Sequence, residues 1–309
     1  LGDVYKRQGW NIAEEKFVKN QVSWLDQLKL RGGYGVLGNQ EIDNYQYVSV
    51  VTTGINYPDG KSGLIQGAFP KTFASPNIKW EETAMTNIGI DVMALRNRLT
   101  LTADWYVKNT KDILLNVPIP ISTGGSNDPV RNAGKIRNQG FEFNLGWNDV
   151  LNKDFSYGVS VLGTYNKNEV IEMGAESQAL TSGTIHGGTY TCKTLAGYPI
   201  GGFWLIPTDG YFNSAEEVQA YQKDGVLIQP SAEAGDIRFK DTNNDGTIND
   251  KDRVYCGSPF PKFTYSINGN VTYKNVDLSI GFQGVAGNKI YNATPVSYTH
   301  LRAHETDSY

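Results

Sequence analysis

A chain of 309 residues has room for one large domain or two ordinary ones, and its 34 Gly, 18 Tyr, 12 Phe and 6 Trp against only 19% charged residues favour strands, turns and rings. The net charge of -4, with no basic run, excludes a surface that neutralises nucleic-acid phosphates. No run of 18 apolar residues exists and the mean hydropathy is -0.41, which excludes a transmembrane helix but not a transmembrane barrel, whose strands carry apolar residues at every second position.

The chain opens at Leu1 without a Met or a secretion signal and reads as a fragment of something longer. LGDVYKRQ (1–8) and VSYTHLRAHETDSY (296–309) break the pattern on either side and look like translated sequencing-adapter tails; both are set aside, leaving 9–295. Strand-like alternation then appears over Leu28 to Val36, Met85 to Ala94, Leu99 to Lys108, Gln139 to Asn148 and Phe155 to Tyr165. In LTLTADWYV, Leu99, Leu101, Ala103, Trp105 and Val107 take one face against Thr100, Thr102, Asp104 and Tyr106, because successive strand side chains point to opposite sides. A closing hairpin repeats the pattern from Phe263 to Tyr273 and from Val276 to Gln283, around a tight Lys274-Asn275 turn, bringing the count to seven strands. Each run is near ten residues, enough at a tilt near 45° to cross an apolar band of about 25 Å.

The connections alternate in length. Leu95 to Arg98, Asp149 to Asp154 and Lys274-Asn275 are short, whereas Leu37 to Ala84, Asn109 to Asn138 and Asn166 to Lys262 are long. Short turns on one rim and long loops on the other are the habit of outer-membrane barrels, so the short turns are expected to face the periplasm and the long loops the exterior. Within 166–262, Ser214 and Glu217 form an S-x-x-E capping box that predicts a short helix over Ala215 to Lys223. Phe203, Trp204, Tyr211 and Phe212 cluster in sequence ahead of it, as a substrate- or partner-contacting patch or as the small core of a large loop. Cys192 and Cys256 in the same segment are open to an extracytoplasmic disulfide or to two unpaired thiols.

Chemistry of the enzymatic kind lacks raw material. His186, His300 and His304 are the only histidines, too few for a His-based zinc site or a Ser/His/Asp triad. Glu81-Glu82 and Glu216-Glu217 are adjacent pairs that project apart on a strand and do not face each other on a helix, so neither forms an acid and base couple. Gly124-Gly125 and Gly187-Gly188 lack the strand-to-helix setting of a phosphate cradle. The sequence therefore predicts no enzyme.

DTNNDGTINDKD (241–252) does match a twelve-position calcium loop. Asp241, Asn243 and Asp245 occupy positions 1, 3 and 5, Gly246 the sharp turn, Thr247 the carbonyl position, Asn249 the water-holding position and Asp252 the closing one. Hard oxygens at alternate positions converge on one cation, and a structural Ca2+ is the expected occupant; the other reading is an acidic, hydrated turn.

Five blocks carry a family resemblance: LKLRGGYGVLGNQEI from Leu28, NIKWEETAMTNIGIDVMALRNRLTLTADWYVKNTKDILL from Asn77, VRNAGKIRNQGFEFNLGW from Val130, YPIGGFWLIPTDGYF from Tyr198, and the run from Gly235 to Gly284. In this order they resemble the SusC/RagA family of TonB-dependent outer-membrane transporters. The resemblance implies a 22-stranded barrel with an internal plug, of which this chain supplies about seven strands near the C-terminus. It further implies energy from TonB-ExbB-ExbD through the missing N-terminal part, a SusD-like lipoprotein lid, and import of oligosaccharides or peptides. The expected architecture is thus all-β, a piece of a large transmembrane antiparallel barrel, its apolar faces to lipid and polar residues such as Asn144, Asn268 and Asn270 to the lumen. A soluble β-sandwich binding module with a calcium loop is the rival, in which those apolar faces would meet in a dry core.

Overall fold

A computed structural model describes residues 4–45, 47–58, 60, 63–117, 122, 128–174, 180–185 and 189–292. His186, His300 and His304, the glycine pairs 124–125 and 187–188, and the 296–309 tail lie outside the described residues. The strands are β1 (Val4–Asn11), β2 (Leu25–Asn39), β3 (Val50–Pro58), β4 (Leu64–Thr72), β5 (Glu81–Ala94), β6 (Leu99–Lys111), β7 (Leu114–Asn116), β8 (Val130–Asn132), β9 (Lys135–Asn152) and β10 (Phe155–Glu172). They continue as β11 (Leu180–Ile185), β12 (Thr189–Thr194), β13 (Gly202–Leu205), β14 (Thr208–Tyr211), β15 (Gln222–Lys223), β16 (Val226–Leu227), β17 (Ile237–Phe239), β18 (Val254–Gly257), β19 (Phe263–Tyr273) and β20 (Val276–Ala286). Two short helices, α1 (Lys16–Lys19) and α2 (Ala215–Ala220), lie in connections.

Eight strands form one open antiparallel sheet in the order β1-β2-β5-β6-β9-β10-β19-β20, a meander in which chain order is spatial order. One rim carries the tight turns, and the other launches the long excursions. This is one strand more than the alternation predicts. Val4–Gln8, set aside with the tail, pair with β2 from Val4↔Val36 to Gln8↔Gly32, because the outer edge of β2 presents unpaired backbone groups that an extended neighbour satisfies. The strands also run longer than the predicted ten residues, 13 in β6 and 18 in each of β9 and β10. Backbone pairing does not need an apolar period. Beyond it the ladder is reinforced by polar pairs, with Arg137 Nε donating to Asn109 Oδ1 at 2.9 Å and Asn168 Nδ2 to Asn138 Oδ1 at 2.8 Å.

Directly opposed residues share a face, so the register assigns the two sides. Leu28, Val92, Leu101, Leu145, Val161 and Ile267 are successive partners across six strands. Toward the long-loop rim the same face carries a row of rings, Trp105, Phe141, Tyr165 and Phe263. Toward the short-turn rim it carries a second, where Phe155 opposes Tyr273 with ring centroids 6.5 Å apart and Trp147 Nε1 donates to the Tyr157 hydroxyl at 3.2 Å. Phe263 and Tyr273 span about 33 Å of strand, which at a tilt near 40° subtends about 25 Å, the height of an outer-membrane apolar band. This face is exposed, as Phe282 at 65% and Leu278 at 56% illustrate, where a β-sandwich would have closed a dry core on it.

The sheet belongs to one compact unit; Leu180–Thr194, Ile200–Phe260 and the chain from Gly287 make a second. In the second unit β11-β12-β13-β18 form a four-stranded sheet, with β14-β17 and β15-β16 as small pairs. Helix α2 starts at the predicted Ser214, whose side chain accepts from Glu217 N, but it ends at Ala220, short of the expected Lys223. The Tyr221 ring turns out of the helical path to pack 5.8 Å from Phe212, and its hydroxyl donates to Phe239 O at 2.7 Å. Asp224 and Gly225, at φ 50° and 80°, then reverse the chain into β16. The two thiols are free. Cys192 and Cys256 sit on β12 and β18, either side of β13, and two strand spacings of about 9.5 Å exceed the reach of a disulfide.

Candidate functional site

The polar face of the eight-stranded sheet is built from charge and amide. Arg31 opposes Gly89, and Gly89 opposes Asp104, so the missing side chain lets guanidinium and carboxylate meet across the middle strand. A Cβ at Gly89 would stand 2.9 Å from the Arg31 guanidinium carbon. Arg31 Nη2 lies 2.9 Å from Asp104 Oδ2, and Nε lies 2.8 Å from Asp91 Oδ2. Asn144 opposes Thr102 on this same face, while Asn268, whose Nδ2 donates to Ser266 Oγ at 3.0 Å, and Asn270 are exposed. Leu162, 44% exposed, interrupts the polar row between Asn144 and Ser266. The wall thus presents fixed hydrogen-bond donors and acceptors along its polar face.

The 241–252 loop folds on its own hydrogen bonds. Asn244 and Gly246, at φ 55° and 87°, provide the reversal, and Asp241 accepts from the amides of Asp245 at 3.2 Å and Gly246 at 2.8 Å. Asp245 is exposed and holds the centre, accepting from Thr247 Oγ1 at 2.8 Å, Thr247 N at 3.0 Å, Asn243 Nδ2 at 3.0 Å and Asn249 Nδ2 at 3.3 Å. Those bonds, led by the Thr247 hydroxyl, pull its carboxyl down to about 2. Because the folded value lies below the unfolded one, its contribution is present above about pH 4 and lost as the pH falls through about 2. Acid titration followed by proteolysis within 241–252 is expected to show loop opening in that window, and Asp245→Asn to weaken the dependence without removing the part that Asp252 contributes.

Asp252, the expected closing residue of the cation loop, is also the loop's internal cap. It is fully buried and its oxygens are taken, Oδ1 by the amides of Thr242 at 2.8 Å and Asn243 at 3.4 Å, Oδ2 by the amide of Asn249 at 2.8 Å. Burial opposes its ionisation, but the amides of Asn249, Thr242 and Asn243 outweigh that and hold the carboxyl below its ordinary value. It caps a short 3-10 turn, Asp250–Asp252, jointly with Asn249. Among the described residues no three His, Cys, Asp or Glu side chains gather as a metal cluster, so cation-binding here would draw on the Asn243, Thr247 and Asn249 oxygens beside Asp241 and Asp245. Sequence reasoning missed the next residue. Arg253 pairs with Asp250 at 2.8 Å and donates to the carbonyls of Tyr190 and Trp204 at 3.1 Å each, tying the loop to β12 and β13. Its only sequence signal is a long cation immediately after the twelfth position.

The four aromatic candidates separate. Phe203 and Phe212 are 9% and 1% exposed and pack into the core of the second unit. Trp204 is half-buried, tilted against Tyr255 at 5.9 Å with Lys193 Nζ 5.5 Å from its ring centre. Tyr211 is 63% exposed and alone presents an open ring.

Residues 18–309 match the family model "TonB dependent receptor-like, beta-barrel". TonB-dependent receptor P26 of Formosa agariphila is 32% identical over 286 residues, 92% of this chain and 28% of that protein. TonB-dependent receptor SusC of Bacteroides thetaiotaomicron is 30% identical over 294 residues, 92% and 27% of the respective lengths. Among solved structures, the RagAB peptide importer in its open-open state superposes with a TM-score of 0.71 at 23% identity, covering 94% of this chain and 29% of that one. The chain thus spans under a third of the length of the relatives it matches. The open meander, its exposed apolar face between two rows of rings and the family match converge: the chain belongs to the TonB dependent receptor-like β-barrel family.

Proposed function

We propose that the chain is the C-terminal part of the barrel of an outer-membrane active transporter that imports oligosaccharides or peptides. A SusD-like lipoprotein would cover its long-loop rim, and TonB-ExbB-ExbD would act through the part of the protein preceding this stretch. The carrying observation is the exposed apolar face bounded by aromatic rows and backed by a charged, amide-rich face. The mechanism on this reading is binding and gating, not covalent chemistry: the solute passes along the polar wall once the interior is opened by a pull from the periplasm. The test expresses the full-length transporter in a strain lacking it and compares growth on defined oligosaccharides and on peptides, with and without TonB. TonB-dependent growth on one class is expected; growth on both classes that ignores the transporter would overturn the reading.

The 241–252 loop is proposed to take a structural Ca2+ through Asp241, Asn243, Asp245, the Thr247 carbonyl and Asn249, with Asp252 holding the loop shut from behind. Positive φ at Asn244 and Gly246 and the gathering of the Asn243, Asp245 and Thr247 side chains within hydrogen-bond distance support it. In the intact protein, calcium is expected to slow cleavage within the loop and Asp241→Ala to remove that protection. Cleavage indifferent to chelator in the parent protein would sink the proposal. Residues 1–8 and 296–309 are proposed to be adapter-derived, which reading the native DNA across both junctions decides.

A further inference from the structure

The short-turn rim carries a feature that wall-building does not require. Each of the three tight turns between strands of the large sheet exposes a basic side chain: Arg96 between β5 and β6, Lys153 between β9 and β10, and Lys274 between β19 and β20. The turns are neighbours, since their hairpins are adjacent in the sheet, and Lys274 N donates to Asp154 O at 2.7 Å. Two of the three occupy backbone that disfavours them. Arg96 has φ 60° and Lys274 φ 53°, the left-handed region where Gly or Asn is least strained. A basic residue held at such a position points to a role for its charge.

Their surroundings indicate the partner. The turns lie just past the lower row of rings, and Lys274 Nζ stands 5.5 Å from the centre of the Tyr273 ring at the edge of the apolar band. Among the described residues neither Arg96 nor Lys153 has an ion-pair partner, whereas Arg98 is matched to Asp149 at 3.1 Å. Of the other acids here, Asp277 stands on the polar face opposite Thr272, Asp154 shares the turn tips, and Asp26 is engaged at the β5-β6 turn, its Oδ2 accepting from Asn97 N at 2.8 Å. Aromatic rings at the interface with cations immediately beyond them is the arrangement that meets lipid phosphate.

We propose that Arg96, Lys153 and Lys274 form a basic collar that binds the phosphates of anionic phospholipid headgroups in the periplasmic leaflet. The proposal rests on the outer-membrane reading and on the short turns facing the periplasm. Each cation contributes about fivefold in lipid retention at low salt, and the effect shrinks as salt screens it.

The experiment uses the full-length transporter in non-ionic detergent, with phosphatidylglycerol as the probe and native mass spectrometry to count retained lipids. The triple variant Arg96→Gln, Lys153→Gln, Lys274→Gln is expected to lose retention tenfold or more, while Arg96→Lys, Lys153→Arg, Lys274→Arg keeps it. Heat-modifiable migration confirms that both variants are folded. A control neutralising Lys240, Lys251 and Lys289 is expected to retain lipid as the parent does. Undiminished retention in the first variant, or equal loss in the control, overturns the collar. Asn275→Cys probed on intact cells with an impermeant maleimide tests the orientation separately: protection until the outer membrane is permeabilised is expected, and labelling of intact cells overturns the periplasmic assignment whatever the lipid count.

Discussion

Leu101→Arg in the intact transporter is expected to destabilise the inserted barrel by about 2 to 4 kcal/mol, while the neighbouring Thr102→Arg stays within about 0.5 kcal/mol of the parent. The two residues are adjacent on β6 and differ only in the face they take. Leu101 opposes Val92 and Leu145 in the aliphatic row between the two rows of rings, so a guanidinium there would sit near the middle of the apolar band. Thr102 opposes Asp91 and Asn144 on the polar face, where a cation gains an acidic neighbour and water. Reversible urea unfolding in lipid bilayers measures both. Equal tolerance at the two positions would mean that neither face meets lipid.

The second large effect is expected inside the loop. Asp252→Ala should cost about 3 kcal/mol or more locally, because it strands the amides of Thr242, Asn243 and Asn249 around a fully buried site. Hydrogen exchange read on peptides spanning 241–252 is expected to lose about a hundredfold protection, with exchange in the eight-stranded sheet unchanged. The magnitude separates this residue from Asp245, whose carboxylate is exposed and whose bonds water can replace. If Asp252→Ala leaves loop protection intact, the carboxylate is not the staple its contacts describe.

The barrel wall was legible where its two faces meet different solvents. From Leu99 to Val107 and from Phe141 to Trp147 the sequence keeps a strict period of two, as a wall with lipid on one side and water on the other would require. Past Tyr165 that requirement ends. Asn166, Lys167, Asn168 and Glu169 are polar on both faces, so no period marks them, yet β10 pairs on to Glu172 because backbone hydrogen bonds alone sustain the ladder. The strand at Val4–Asn11 was invisible for another reason: an edge strand needs little beyond compatible backbone, and its residues were set aside on the look of the first eight.

In the candidate site, the loop's spacing identified the residues that gather but not the way each one points. Position twelve of a calcium pattern and a buried cap ask for the same residue type, and only the burial of Asp252 separates them. Phe203 and Phe212 were likewise indistinguishable from Tyr211 by sequence, since a large loop needs a core of its own as much as it needs an exposed ring. The Arg31 cluster was readable only in part. Its charges sit on strands 60 and 73 residues apart in sequence, and only the register brings Gly89 between them.

The most direct test of the account is a nitroxide scan of residues 141 to 147 on β9, one site at a time, in the full-length transporter reconstituted in bilayers. Phe141, Phe143, Leu145 and Trp147 should give labels accessible to dissolved oxygen and shielded from a water-soluble nickel chelate, with Glu142, Asn144 and Gly146 showing the reverse. That period of two places lipid on one side of the sheet and a wet lumen on the other. Uniform accessibility to either reagent along the strand would contradict a membrane wall.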